Sequence, residues 1–527
     1  MSRARRLRSP LVTRRRLLLG AAVLGGGRLL GPPRPAFARG DRPTVTHGVQ
    51  AGDVDASGAV LWARSDRPAR MRVELAATES FRNPRTIAGP AALAAGDFTA
   101  KLAIDGLPAG EDVFYRIAFE SLDYPGAVSA PVVGRLRTAP AARRDIRFLW
   151  TGDTAGQGWG INPEWGGMRG YATMADQNAD FLIHSGDVVY ADGPIPSEQK
   201  TADGRVWKNL VTEATAKVAE TLDEFRANYR YNLLDEHVRR FNATTAILAQ
   251  WDDHEVVDNW YPGEMLEEDD RYTVKSVDLL AARASRAFHE YLPLRTNPLE
   301  AARVYRRIAY GPSLDVFFLD LRSYRGPNGR NDQDAASAAT AFLGRDQIRW
   351  LKQALLASRA TWKVIASDMP LGLIVYDDWR TRSSFENGAN GDGPPRGREL
   401  EIADLLRFIK LNDVRNTVWL TADVHYTAAH RYDPNRAAFQ DFAPFWEFVS
   451  GPIHAGSFGP NRLDDTFGPE VVFASHPGAG QVNLPPWDGM QFFGHVAIDG
   501  TTEAMTVTLK DIADRSLWST TLEPEPS

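Results

Sequence analysis

Phe181-Leu182-Ile183-His184-Ser185-Gly186-Asp187-Val188-Val189-Tyr190 reads as a short apolar strand that stops at a glycine, delivers a carboxylate and is followed three residues later by a phenol. The pattern recurs along the chain. Phe148-Leu149-Trp150 leads to Gly152-Asp153, and Ile247-Leu248 to Trp251-Asp252-Asp253-His254-Glu255. Val316-Phe317-Phe318-Leu319 ends in Asp320, Val364-Ile365-Ala366 leads to Asp368, and Val418-Trp419-Leu420 leads to Asp423-Val424-His425. Helical stretches alternate with these strands. From Glu399 to Lys410, for example, Ile402, Leu405, Leu406 and Ile409 recur at i, i+3, i+4 and i+7. Such alternation specifies an α/β layered domain. In an open α/β sheet the C-terminal strand edge is where ligands bind, so the carboxylates are expected to converge on one rim.

Several carboxylates cannot sit together ionised without a counter-charge, because each drives its neighbours toward protonation. Cations resolve the conflict. Asp oxygens with an imidazole and a phenol suit hard or intermediate metals, and a cluster of this size can hold two of them about 3.5–4 Å apart, the arrangement for in-line displacement at phosphorus. A single Gly-Asp after a strand is ordinarily a turn or a helix cap. Six in order are poorly explained that way.

The 527 residues contain no cysteine, which excludes disulfides, thiolate nucleophiles and sulfur-ligated metal sites. The net charge of −6 is unevenly placed. Residues 1–38 hold nine arginines and no acid, so removing them from −6 leaves −15. Acidity on that scale argues against a nucleic-acid partner. Within residues 1–38, Thr13-Arg14-Arg15-Arg16 opens a weakly apolar stretch that closes at Ala36-Phe37-Ala38. This reads as a twin-arginine export signal, with the export machinery as a partner and the periplasm or exterior as destination. The stretch is too short and interrupted to span a bilayer, and no transmembrane segment is expected in the mature chain. Residues 44–138 read as short strands separated by turns, an Ig/fibronectin-like β-sandwich serving as a scaffold. Residues 138–144 form a linker, and residues 145–523 the catalytic domain, ending in mostly antiparallel strands.

Gly186-Asp187-Val188-Val189-Tyr190, Trp251-Asp252-Asp253-His254-Glu255 and Ala422-Asp423-Val424-His425-Tyr426, in that order, resemble the alkaline phosphatase D (PhoD) family of metallophosphoesterases. Val60-Leu61-Trp62 and Trp446-Glu447-Phe448-Val449-Ser450-Gly451-Pro452 share the likeness, which covers essentially the whole chain. The catalytic domain is also similar to purple acid phosphatases. The resemblance therefore implies a four-layer αββα fold and a secreted alkaline phosphatase or phosphodiesterase that hydrolyses phosphate mono- and diesters with a metal-bound hydroxide at a two-metal site. It further implies that Asp187 bridges both metals, that Tyr190 is a phenolate on an iron(III) site, and that His425 is a second ligand of that iron. Asp423 would bind the other metal, calcium by resemblance, with Asp253 or Asn259 as a further ligand. His254 would contact phosphate or assist the leaving group.

One departure stands out: many relatives supply a cysteine to the iron after the first catalytic strand, and here Asp153 holds that place, as in purple acid phosphatases. Oxygen for sulfur makes a harder site, compatible with zinc or manganese as well as iron(III). Asp368 reads equally as a ligand of the second metal or a turn carboxylate, and Arg322 as a phosphate contact or a partner of Asp320. A lid from Asp377 to Gly397 would narrow the substrate to phospholipid head groups, the phospholipase D-type alternative. The rival of another class is a non-enzymatic, calcium-stabilised surface protein, against which Tyr190 stands, since calcium alone needs no phenolate.

Overall fold

The computed structural model describes residues 42–378 and 380–525, so the segment read as an export signal, residues 1–38, lies outside the described residues. Two large sheets face each other. The nine-stranded sheet runs Ser516–Leu522, Met505–Asp511, Phe492–Ile498, Ile146–Thr151, Phe181–Ser185, Ala246–Gln250, Val45–Gly52, Gly58–Ser65, Thr99–Asp105. The seven-stranded sheet runs Arg306–Ala309, Leu314–Phe318, Trp362–Ala366, Thr417–Thr421, Phe445–Val449, Thr427–Tyr432, Pro469–Ser475. In the first, Ile146–Thr151, Phe181–Ser185 and Ala246–Gln250 are parallel; in the second, Leu314–Phe318, Trp362–Ala366, Thr417–Thr421 and Phe445–Val449 are.

The two-residue period of the strands explains the layering. Phe148, Trp150, Phe181 and Ile183 point into one buried core with Val316, Phe318, Val364, Ala366, Val418 and Leu420 of the opposite sheet. Their alternates point outward under helices. Leu149 and Leu182 meet residues of the helices Leu222–Asn232, Glu236–Thr244 and Val277–Tyr291. Phe317, Ile365 and Trp419 meet those of Arg345–Ala357 and Glu399–Leu411. Strands covered on both faces read as continuous apolar runs, which is why they were visible in the sequence. The result is the four-layer αββα arrangement. Among the described residues no helix is long and apolar enough to cross a membrane.

The N-terminal region is sandwich-like, with a four-stranded sheet of Arg85–Ala92, Ala69–Ala76, Asp112–Ser121 and Val132–Arg137 packed on the strands Val45–Gly52, Gly58–Ser65 and Thr99–Asp105. The second of these layers is not separate. It continues the nine-stranded sheet through Gly52, which pairs in parallel with Ile247. The junction depends on a missing side chain: a Cβ at Gly52 would lie 2.4 Å from the Ile247 carbonyl oxygen and 2.6 Å from Pro293 Cγ. Next to it, buried Asp53 accepts Arg306 Nη2 at 2.7 Å and the Arg295 amide at 2.7 Å. Gly52→Ala is accordingly expected to cost roughly 1–3 kcal/mol by overpacking, read as a lower thermal midpoint with secondary structure retained.

The long loop after Asn387 is tied down at one acidic pair. Asp464 accepts the amides of Asn390, Gly391 and Thr466. Glu399, fully buried beside it, is pushed up to about 10 by burial and by the Asp464 charge. Between the ordinary glutamate value near 4.5 and about 10 the folded chain holds a proton that the unfolded chain lacks. Stability therefore falls with rising pH across that window, by at most about 1.4 kcal/mol per pH unit. Glu399→Gln is expected to flatten this dependence in thermal melts run from pH 5 to 10.

Candidate metal centre

The strand-end carboxylates do meet, and the turns that aim them are unusual. Asp153, Asp187, Asn259, Asp423 and His425 have φ of 66°, 52°, 58°, 67° and 58°. Five residues in the left-handed region at one rim mark a strained constellation, for which Asp and Asn are the tolerant residue types. Gly186 permits the closest approach, since a Cβ there would stand 2.5 Å from Asp252 Cβ. Backbone bonds stitch the turns together: Thr154 N–H donates to the Asp187 carbonyl at 2.9 Å, Ala155 N–H to His454 at 2.7 Å, and Ala422 N–H to Asp368 at 2.9 Å.

Three overlapping sets have ligand atoms within 4.8 Å of one another: Asp153, Asp187 and His425; Asp187, Asp253 and His254; Asp252, Asp253 and Asp423. Asp187 belongs to the first two. His425 Nδ1 donates to the Gly456 carbonyl, which can only accept, so Nε2 keeps its lone pair. That nitrogen lies 3.3 Å from Asp153 Oδ1 and 2.9 Å from the Tyr190 hydroxyl. Asn259 N–H donates to Asp253 Oδ2 at 2.6 Å, which fixes the turn between those two residues.

The electrostatics show what the cluster lacks. Burial, with Asp253 and Asp252 close by, pushes Asp187 well above the usual carboxylate range. Burial and the surrounding carboxylates raise Asp423 in the same way. Burial, then the Asp187 and Asp153 charges, hold the Tyr190 phenol protonated. Asp253 is the exception; His254 and Arg322 overcome its burial and bring it down to about 2. Among the described residues Asp153 Oδ2, Asp253 Oδ1 and Asp423 Oδ2 are buried without a hydrogen-bond partner, and the buried carboxyls of Asp252 and Asp368 face each other. Crowded, unpartnered carboxyl oxygens beside an imidazole and a phenol fit hard or intermediate cations.

Several groups around the cluster have defined supporting roles. His254 Nδ1 is 2.9 Å from both oxygens of Asp192, which fixes the ring and leaves Nε2 3.7 Å from the exposed Asp258 carboxylate. The ring lies against Tyr190, tilted by 31°, with centroids 4.2 Å apart. Burial opposes a charged imidazole, but Asp192, Asp253 and Asp187 outweigh it and hold His254 well above its usual value. Glu255 accepts the amides of Val188 at 2.7 Å and Asp252 at 2.9 Å, clamping two of the turns. Asp320 stays out of the cluster and caps its own turn through Ser323. Arg322 is fully buried; its Nε donates to Asp252 at 2.6 Å and its Nη2 to Glu386, so it is a closed internal counter-ion and not an open phosphate grip. Asp368 lies 4.0 Å from that guanidinium at the back of the site. Asp192 and Glu386 went unread in the sequence, and Glu255 was read only as part of the Trp251-Asp252-Asp253-His254-Glu255 motif, with no role of its own. For Asp192 a signal existed, two residues past Tyr190 in Gly186-Asp187-Val188-Val189-Tyr190-Ala191-Asp192.

With this geometry in view, the similarities to known proteins are consistent. A family model described as PhoD-like phosphatase matches residues 148–509, and one described as PhoD-like phosphatase, N-terminal domain, matches residues 32–140. Alkaline phosphatase D of Bacillus subtilis (strain 168) is 27% identical over 486 residues, covering 86% of this chain and 78% of that protein. The solved structure of PhoD is similar over 93% of this chain and 90% of that one, with TM-score 0.66 and 21% identity, and shares the fold. The chain belongs to the PhoD-like phosphatase family.

Proposed function

We propose that this phosphoric ester hydrolase cleaves phosphate mono- and diesters at a two-cation centre. One cation, iron(III) by family likeness, would be held by Asp153, Asp187, Tyr190 and His425. The other, calcium by the same likeness, would be held by Asp187, Asp253, Asn259 and Asp423. Zinc or manganese also suits the all-oxygen-and-nitrogen donor set. The observation that carries the reading is the set of buried, unpartnered carboxylate oxygens arranged around Asp187. Export by the twin-arginine route to the periplasm or exterior is part of the proposal, on the strength of residues 1–38.

Cations so held would supply the charge that grips a phosphate and the acidification that makes water a nucleophile near neutral pH. The chain's own groups do the rest. His254, Asn259 and Asp423 are half-buried and Asp258 beside them is exposed, while Asp153, Asp187, Asp252 and Asp253 are enclosed, so substrate enters on their side. His254, oriented by Asp192, presents Nε2 there and donates a proton to the departing oxygen. The Glu255 clamp keeps Asp187 and Asp253 in register, and Arg322 holds Asp252.

Metal analysis of unchelated protein, run with p-nitrophenyl phosphate and bis(p-nitrophenyl) phosphate, is expected to find two cations per chain and hydrolysis of both esters. Iron(III) on Tyr190 would add a visible absorption band that Tyr190→Phe removes. A metal-free, inactive preparation would sink the reading.

A further inference from the structure

Glu386 comes from a loop far in sequence from every strand-end motif, yet it is 1% exposed and sits against two groups of the centre. Arg322 Nη2 donates to its Oε1. With the amide nitrogen turned toward Glu386, Asn259 donates to both carboxylate oxygens at 3.1 Å. The opposite orientation sets an amide oxygen against a carboxylate, acceptor on acceptor, which leaves buried groups unpaired at a cost of about 1–3 kcal/mol.

The rest of Asn259 is already fixed. Its N–H donates to Asp253 Oδ2 at 2.6 Å, and its carbonyl accepts Asn328 Nδ2 at 2.7 Å. Glu386 is equally rigid: Arg325 and Arg398 both donate to its backbone carbonyl, and its N–H donates to the Val375 carbonyl at 3.0 Å. What remains free between these anchors is which end of the Asn259 amide faces Glu386.

We propose that Glu386 is a positioning residue that turns the Asn259 amide so that its oxygen, and not its nitrogen, is the atom offered to a divalent cation beside Asp253. The inference rests on the two-cation reading above. A carboxylate only accepts hydrogen bonds, so it permits one orientation of the amide. Hard divalent cations take oxygen ligands, and an amide nitrogen has no lone pair to offer them. Arg322, bonded at once to Glu386 and Asp252, supplies the charge that lets this carboxylate remain buried. Glutamine at 386 can donate as well as accept and would no longer select.

The test is calcium binding by titration calorimetry on full-length protein dialysed free of exchangeable divalent cations. Glu386→Gln is expected to bind calcium about 10–100-fold more weakly, the usual cost of disturbing a group that orients a ligand. The exchanged pair Glu386→Gln with Asn259→Asp, in which donor and acceptor trade places and an oxygen still faces the cation, is expected to return to within roughly threefold of wild type, a coupling that independent sites would not show. An E386Q protein with wild-type affinity, or an exchanged pair no better than E386Q, would overturn the proposal. If E386Q does not fold, the exchanged pair and Asn259→Ala carry the decision: the pair binding like wild type and N259A more weakly supports the inference, and N259A binding like wild type overturns it. Wild-type protein that takes up neither calcium nor manganese would remove the two-cation reading and this inference together. Wild-type binding that is indifferent to position 386 removes only the inference.

Discussion

Asp187→Ala is expected to lower kcat/KM for aryl phosphates by about 10³-fold or more, a barrier increase of roughly 4 kcal/mol. Asp187 is the carboxylate shared by the Asp153–His425 and Asp253–His254 sets, so its loss weakens both halves of the centre at once. The stability signature separates this from simple unfolding. In the metal-free chain burial and the neighbouring carboxylates hold Asp187 well above the usual carboxylate range, and its side chain accepts a 3.3 Å contact from the His254 amide. Removing it relieves the cost of burying a carboxyl group among other carboxylates, so the thermal midpoint of the chelated variant should match or exceed that of chelated wild type. The rise that metals produce in wild type should vanish, because a ligand stabilises only by binding the folded state. Elemental analysis and melts with and without chelator check this. A variant that keeps both its metals and its activity would contradict the central role given to Asp187.

His254→Ala should reduce turnover by about 10²–10⁴-fold for alkyl phosphates, whose leaving oxygen needs a proton. The loss should be much smaller for p-nitrophenyl phosphate, whose leaving group departs as a stable anion. Asp192 sharpens the test. Its carboxylate is the foremost charge holding His254 above the ordinary histidine value. Asp192→Asn lowers that value, and the acid form of His254 is lost as pH rises through it. The alkaline limb of the alkyl-ester profile must therefore move to lower pH. Equal losses for both leaving groups in His254→Ala would instead assign the imidazole to phosphate binding.

Much of this architecture is local in the sequence. A strand covered on both faces must be apolar along its whole length, so Phe148, Phe181, Val316, Val364 and Val418 announce themselves. The residue that follows such a strand lies at the ligand-binding rim, which brought Asp153, Asp187, Asp253, Asp423 and His425 to notice together. What escaped depends on contacts between distant segments. Glu386 sits in an irregular loop with no flanking pattern, and only the fold brings it to Asn259 and Arg322. Arg322 was read as a phosphate contact or a partner of Asp320, because a sequence shows a charge but not its enclosure by Asp252 and Glu386. The left-handed backbone at five site residues was equally hidden, since Asp and Asn are common in ordinary turns as well. The N-terminal sandwich was legible from its turns, whereas its merger with the catalytic sheet was not, because Gly52 says nothing of Ile247.

That merger governs how the chain can be cut and how it must assemble. Val45–Gly52 finds its parallel neighbour roughly two hundred residues downstream, a long-range pairing of the kind that slows folding, so this edge stays unfinished until Ala246–Gln250 is in place. A protease nick in the exposed stretch from Ala141 to Arg143 would therefore leave two fragments that remain one particle under native conditions. A fragment ending at Thr138 would carry a bare strand edge in place of a neighbour, and should self-associate through it.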